Sequence, residues 1–191
     1  MTFDPHAYGP TFAPFLVDVE LNSLGPGTGE KTSLIRDLHT LSLEAAFAPH
    51  KIRDRDMAAC CLAGLWLLHE DLDASHRISQ EIETPTGGFW HAIMHRREPD
   101  YDNAKYWFRR VGQYPIYEML HAAARELTSQ SPLATDKATA FLRTQSSWDP
   151  YRFVDLCAAV AAGRSKSERL CQEIQRREWE LLFDFCYRQT V

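Results

Sequence analysis

The sequence predicts an all-α fold of eight or nine helices. Three observations carry this: proline and glycine breakers at helix-length intervals, apolar residues recurring with a helical period, and no segment that alternates long enough to build a sheet. The helices are expected to stack as antiparallel pairs, residues 30–191 forming one domain behind an extended N-terminal arm of residues 1–29. Composition agrees: 45% hydrophobic and 25% charged residues are the proportions of an ordinary globular domain, not of a disordered, collagen-like or membrane-embedded chain. A formal charge of −5 argues against nucleic acid as a partner.

The arm comes first. Pro5, Pro10, Pro14 and Pro26 fall in it together with Gly9, Gly25, Gly27 and Gly29, which predicts extended chain with at most a short strand or turn in residues 15–21. Phe3, Tyr8, Phe12 and Phe15 are the side chains expected to pin it to the body. No basic stretch precedes an uninterrupted apolar run, so no signal peptide is expected. Residues 25–32 resemble a phosphate-binding loop, but Glu30 separates Gly29 from Lys31 and puts a carboxylate where phosphates would sit; a surface loop leading into a helix is the expectation.

Beyond residue 30 the breaks fall at Pro49, Pro85, Pro99, Gly112, Pro115, Pro132, Pro150 and Gly163. Leu34, Leu38 and Leu41 line a first helix. Residues 57–68 lack any strongly polar side chain and read as a buried helix, well short of the roughly 20 residues a bilayer span needs. Ile116, Leu120, Ala123 and Leu127 line a later helix, and Leu170, Ile174, Leu181 and Phe185 a long final one. Asp149 before Pro150 is an N-cap with proline at the first helical position, Gly163 suits a helix C-terminus, and Ser165 with Glu168 suggests a capping box. The stretches beginning at Asp71 and Asp100 each open a helix just after another has ended. Their register matches the tetratricopeptide pattern in part, at Leu62, Ala63 and Trp66 and again at Ala104 and Phe108, while Trp90 and His91 depart from it. The five cysteines are odd in number and form no C-x-x-C pair, which predicts reduced thiols in a cytoplasmic protein; Cys60 and Cys61, inside the most apolar helix, are expected to be inert.

The chemistry concentrates in residues 90–112. On a helix, His91, His95 and Glu98 stand one turn apart on one stripe, a spacing that suits three ligands of a zinc, iron or manganese ion, with His69 or His76 from the preceding helix pair as a fourth. The competing reading is a hydrogen-bond network with no metal. Arg96, Arg97, Lys105, Arg109 and Arg110 outnumber the nearby carboxylates and make the block locally basic, so a small anionic ligand or a protein segment could dock there through Arg96, Arg97 and Arg110 with His69, His76, His91 and His95.

The run W-H-x-x-x-H-R-R-E-x-D-x-x-N-A-K-Y-W-F-R-R-V-G, with residues 57–80 and 178–185, resembles a family of uncharacterised bacterial proteins. The resemblance implies a single compact unit and carries over no activity, substrate or ligand residue. Two functions from different classes follow from the residues themselves. One is a cytoplasmic binding or scaffold module with a polar, locally basic groove near residues 69–110. The other is a metal-dependent, hydrolase-like enzyme using His91, His95 and Glu98, the last as ligand or as general base.

Overall fold

The computed structural model of the chain describes residues 3–27, 33–131 and 136–191. Gly29 and the rest of residues 28–32, and the expected break at Pro132, lie outside the described residues. Every regular element among those described is helical: α1 (Gly9–Leu16), α2 (Ser33–Thr40), α3 (Leu43–Phe47), α4 (Arg55–Leu68), α5 (Leu72–Ser79), α6 (Pro85–Arg97), α7 (Tyr101–Val111), α8 (Tyr117–Gln130), α9 (Ala140–Thr144), α10 (Pro150–Ala161) and α11 (Glu168–Thr190). The all-α class is therefore observed. The eleven α-helices among the described residues exceed the expected eight or nine because α3 and α9 are single turns too short to show a period, and because the arm itself is part-helical.

The extended arm is thus corrected over part of its length. Pro10 stands in the first turn of α1, where its missing N–H costs nothing, but Pro14 lies inside the helix. Burial overrides the propensity: Phe12, Ala13, Phe15 and Leu16 enter the core, and Phe12 packs on Phe47, Phe183 and Tyr187. The Tyr8 hydroxyl donates to Asp184 Oδ1 at 2.9 Å. After α1 the chain does run without helix through residue 27, held by side-chain donors from the body. Asn22 Nδ2 donates to Leu68 O at 2.7 Å, Gln175 Nε2 to Ser23 O at 3.1 Å, and Arg176 to the carbonyls of Val19 and Glu20.

Helices α4, α6 and α11 form the centre, and the buried apolar side chains join in one cluster from Tyr8 to Cys186. The apolar run foreseen at residues 57–68 is α4, with Cys60, Cys61 and Leu65 fully buried. Both thiols are pushed well up, Cys60 by contact with Cys186 and by burial, Cys61 by burial and then Cys186. Trp179 Nε1 donates to Gly64 O at 2.8 Å, and Trp90 of α6 closes on the same glycine: a Cβ at residue 64 would stand 2.9 Å from the Trp90 ring. That ring is wholly buried and has nowhere to retreat. Gly64→Ala is expected to cost about 1–3 kcal/mol by overpacking, read as a lower urea midpoint with an unchanged m-value.

Two turns share one construction. Asp71 N–H donates to Trp66 O and Asp100 N–H to His95 O, each at 3.0 Å, closing the preceding helix; each aspartate then caps the next helix, taking the N–H of Ala74 at 2.8 Å and of Asn103 at 3.3 Å. Asp149 caps α10 as expected, and Gly163 follows that helix with φ of +69°. The capping box does not form, because α11 begins at Glu168 and Ser165 Oγ instead accepts from Ser167 N–H.

Candidate functional site

Helix α6 is buried on all sides, from Thr86 to Arg97, since it lies between α4, α5 and α7. Every polar side chain on it must therefore find a partner inside the protein. Arg96 and Arg97 do so through acceptors elsewhere in the fold. Arg96, with no exposed surface, donates from Nη2 to Glu178 Oε2 at 2.5 Å and to Gln175 Oε1 at 3.4 Å, its guanidinium over the Phe153 ring. Arg97 donates to Leu67 O at 2.6 Å, Gly25 O at 3.2 Å and Glu70 Oε1 at 3.2 Å. Burial lowers its pKa to about 10, against the pull of Glu70. These arginines cross-link α6 to α4, α11 and the arm.

His91 and His95 occupy the opposite problem, neutral rings in a dry environment. They stack on each other at 4.6 Å and 21°, and His91 stacks on Trp107 of α7 at 4.2 Å and 22°. His76, half-buried on α5, brings its ring to 4.7 Å from His91 and 5.4 Å from His95. One ring nitrogen from each of the three histidines lies within 4.8 Å of the others. A zinc ion bonded tetrahedrally at about 2.0–2.1 Å would hold its donors roughly 3.3–3.4 Å from one another, so the rings must rotate toward a common point to complete the set.

His95 Nδ1 donates to Glu98 Oε2 at 3.1 Å, which places the lone pair on Nε2. His91 is only 4% exposed, yet neither of its ring nitrogens has a hydrogen-bond partner. Burial pushes its pKa down to about 3, with His95 and His76 adding to the effect; burial also lowers that of His95, against the pull of Glu98. Both rings are thus neutral and able to donate a lone pair at neutral pH, which is the form a metal ion takes.

The expected residues are accordingly redistributed. His76 joins His91 and His95. His69 does not: its Nε2 is 3.0 Å from Phe15 O, tying the end of α4 to α1. Glu98 orients His95 and is no member of the three-donor cluster. Arg96 and Arg97 are spent inside the fold, and Arg110 lies over Trp107 at 5.2 Å on the outside. The expected basic groove is corrected as well. A cleft of about 970 Å³, which takes in Glu98 but none of His76, His91 and His95, is lined by Glu70, Asp71, Asp73, Glu98 and Asp100 against Arg36, with His39 and His69. Its sign is acidic because Arg96 and Arg97 went to the core and the capping aspartates stayed at the rim. Sequence reasoning passed over Asn103, whose Nδ2 is 3.1 Å from His95 Nε2; its place three residues after the capping Asp100 was the available signal.

Among the described residues no helix is long and apolar enough to cross a membrane. Comparison of the chain with protein-family models, curated proteins and solved structures finds no match.

Proposed function

We propose that this chain is a metal-binding helical protein in which His76, His91 and His95 hold one zinc-class divalent ion. The observation that carries the reading is His91, a buried imidazole with two unpartnered nitrogens facing two further imidazoles. An unsatisfied buried polar group costs about 1–3 kcal/mol, and a metal bond removes that cost for the nitrogen it takes. Three imidazole nitrogen donors suit zinc better than manganese, which favours oxygen. Glu98 on His95 supplies the carboxylate–histidine–metal arrangement that fixes ring orientation and strengthens the donor. Three protein ligands leave a position for water, the requirement of a metal-dependent hydrolase.

The helix pairs α4–α5 and α6–α7 supply the frame, and their matching turns support reading them as two stacked antiparallel units. A second reading, a binding or scaffold module, is favoured by the acid-lined cleft, which fits a basic protein segment rather than an anion. The unpaired thiols accord with a cytoplasmic setting for either function.

Untagged protein, stripped with EDTA and titrated with zinc in a calorimeter, tests the first reading. One ion per chain is expected. His91→Ala should lose more than about two orders of magnitude in affinity, and Glu98→Gln roughly 10–100-fold, the usual effect of removing such a carboxylate. Weak, substoichiometric binding that is the same in wild type and His91→Ala would leave only the module reading.

A further inference from the structure

We propose that Asn103 is the hydrogen-bond donor for the oxygen that completes the ion's coordination, so that the centre selects a bound water or hydroxide. The inference rests on the metal reading above and adds a positioning residue to it. The geometry begins at His95. Its Nδ1 donates to Glu98, so Nε2 carries the lone pair that an ion would take. Asn103 Nδ2 lies 3.1 Å from Nε2 and 3.5 Å from Nδ1. The two ring nitrogens point apart in the plane of the ring, so an atom this close to both cannot lie along the in-plane direction of either. The amide therefore stands over the ring, and the Nε2 lone pair remains available to a metal.

The same placement sets which end of the amide faces the site. The face of an aromatic ring is its electron-rich side, so the N–H end is preferred there to the carbonyl. The backbone at Asn103 is held in place, because its N–H donates to Asp100 Oδ1 at 3.3 Å and the Asp100 N–H is itself bound to His95 O at 3.0 Å. The start of α7 is thus tied to the residue whose ring the amide covers. Asn103 is also half-buried, so a hydrogen bond from it is less diluted by solvent than one from the surface. A donor held at the His95 ring, beside the nitrogen that would bind the ion, is placed to serve an oxygen bound to that ion. It favours hydroxide over water because it donates to the added negative charge.

Cobalt(II) is the probe, since its visible spectrum reports both occupancy and ionisation of a bound water. Wild type is expected to bind one cobalt ion and to show a spectral transition with pH. In Asn103→Ala the cobalt affinity should stay within about threefold while the midpoint rises by about one pH unit, a tenfold weaker acid. Asn103→Asp, which offers an acceptor in place of the donor, should raise it further, and Asn103→Gln should restore most of the wild-type midpoint. An unchanged midpoint in Asn103→Ala would overturn the proposal, as would a tenfold loss of cobalt affinity with the midpoint kept, which would make Asn103 a ligand. Failure of wild type to bind cobalt would instead remove the metal reading itself.

Discussion

Arg96→Ala is expected to cost about 3–5 kcal/mol of folding stability, a large share of the roughly 5–15 kcal/mol that holds a domain of ordinary size together. Both members of the Arg96–Glu178 pair have no exposed surface, so truncating the arginine leaves a carboxylate in the core with nothing to neutralise it. Burial works against the Arg96 charge, but the adjacent Glu178 carboxylate and its hydrogen bond more than restore it, so the guanidinium is charged in the native protein. The pair is nonetheless poorly completed: Arg96 Nε and Nη1 and Glu178 Oε1 have no hydrogen-bond partner. A buried pair with unmet groups repays little of its desolvation. The double replacement Arg96→Met with Glu178→Leu should therefore recover most of the loss and could exceed wild type by about 1–4 kcal/mol. Urea unfolding of the two single variants and the double variant measures this as a coupling energy. A double variant as unstable as Arg96→Ala would mean that the arginine acts through its packing on Phe153 and not through its charge.

The second large effect is acid sensitivity at the histidine cluster. His91 has its pKa pushed down to about 3 by burial and by its histidine neighbours, against an ordinary value of 6.5. A histidine whose native pKa is depressed binds fewer protons folded than unfolded, so stability falls as pH falls. The loss begins near 6.5, where the unfolded chain takes up its proton, and ends near 3, where the folded chain follows. Within that window His91 alone contributes a slope of up to about 1.4 kcal/mol per pH unit. His95, also depressed, acts in the same direction. Denaturation of metal-free protein at pH 7 and at pH 5 should show the difference, and His91→Gln should flatten it even if the variant is less stable overall. Equal pH dependence in the two proteins would show that acid unfolding originates elsewhere.

Much of the helical framework was legible because its signals are local. Asp71, Asp100 and Asp149 each accept an N–H from within three residues of themselves, and the apolar run of α4 announces burial by its own composition. The errors at this level share one cause. Residues 9–16 carry two prolines and a glycine and read as extended, yet they wind into α1 because Phe12 and Phe15 find a core on α3, α4 and α11. The turn at Ser165 satisfied the spacing of a capping box, and the chain used the serine to shape the turn instead.

At the candidate site the stripe of His91 and His95 could be read from a helical wheel, while their companions could not. Glu98 shares the stripe but lies past the end of α6, where the chain turns it onto His95. His69 and His76 are equally good candidates in the sequence, seven residues apart, one capping the end of α4 and the other on α5. Packing sends one ring to the Phe15 carbonyl and the other to His91. The block's excess of arginine predicts a basic groove only if arginines face solvent, and two of them face the interior.

Residue order alone thus decides where the longer helices of the body run, where several of them are capped, and that two imidazoles share a face, since all of these depend on groups within a turn of one another. Tertiary packing decides which charges become core, which histidine completes the cluster and what sign the cleft carries. A side chain's protonation and partners depend on how much water surrounds it and on what approaches from distant parts of the chain. Arg96 and Glu178 are 82 positions apart in the sequence and 2.5 Å apart in the fold.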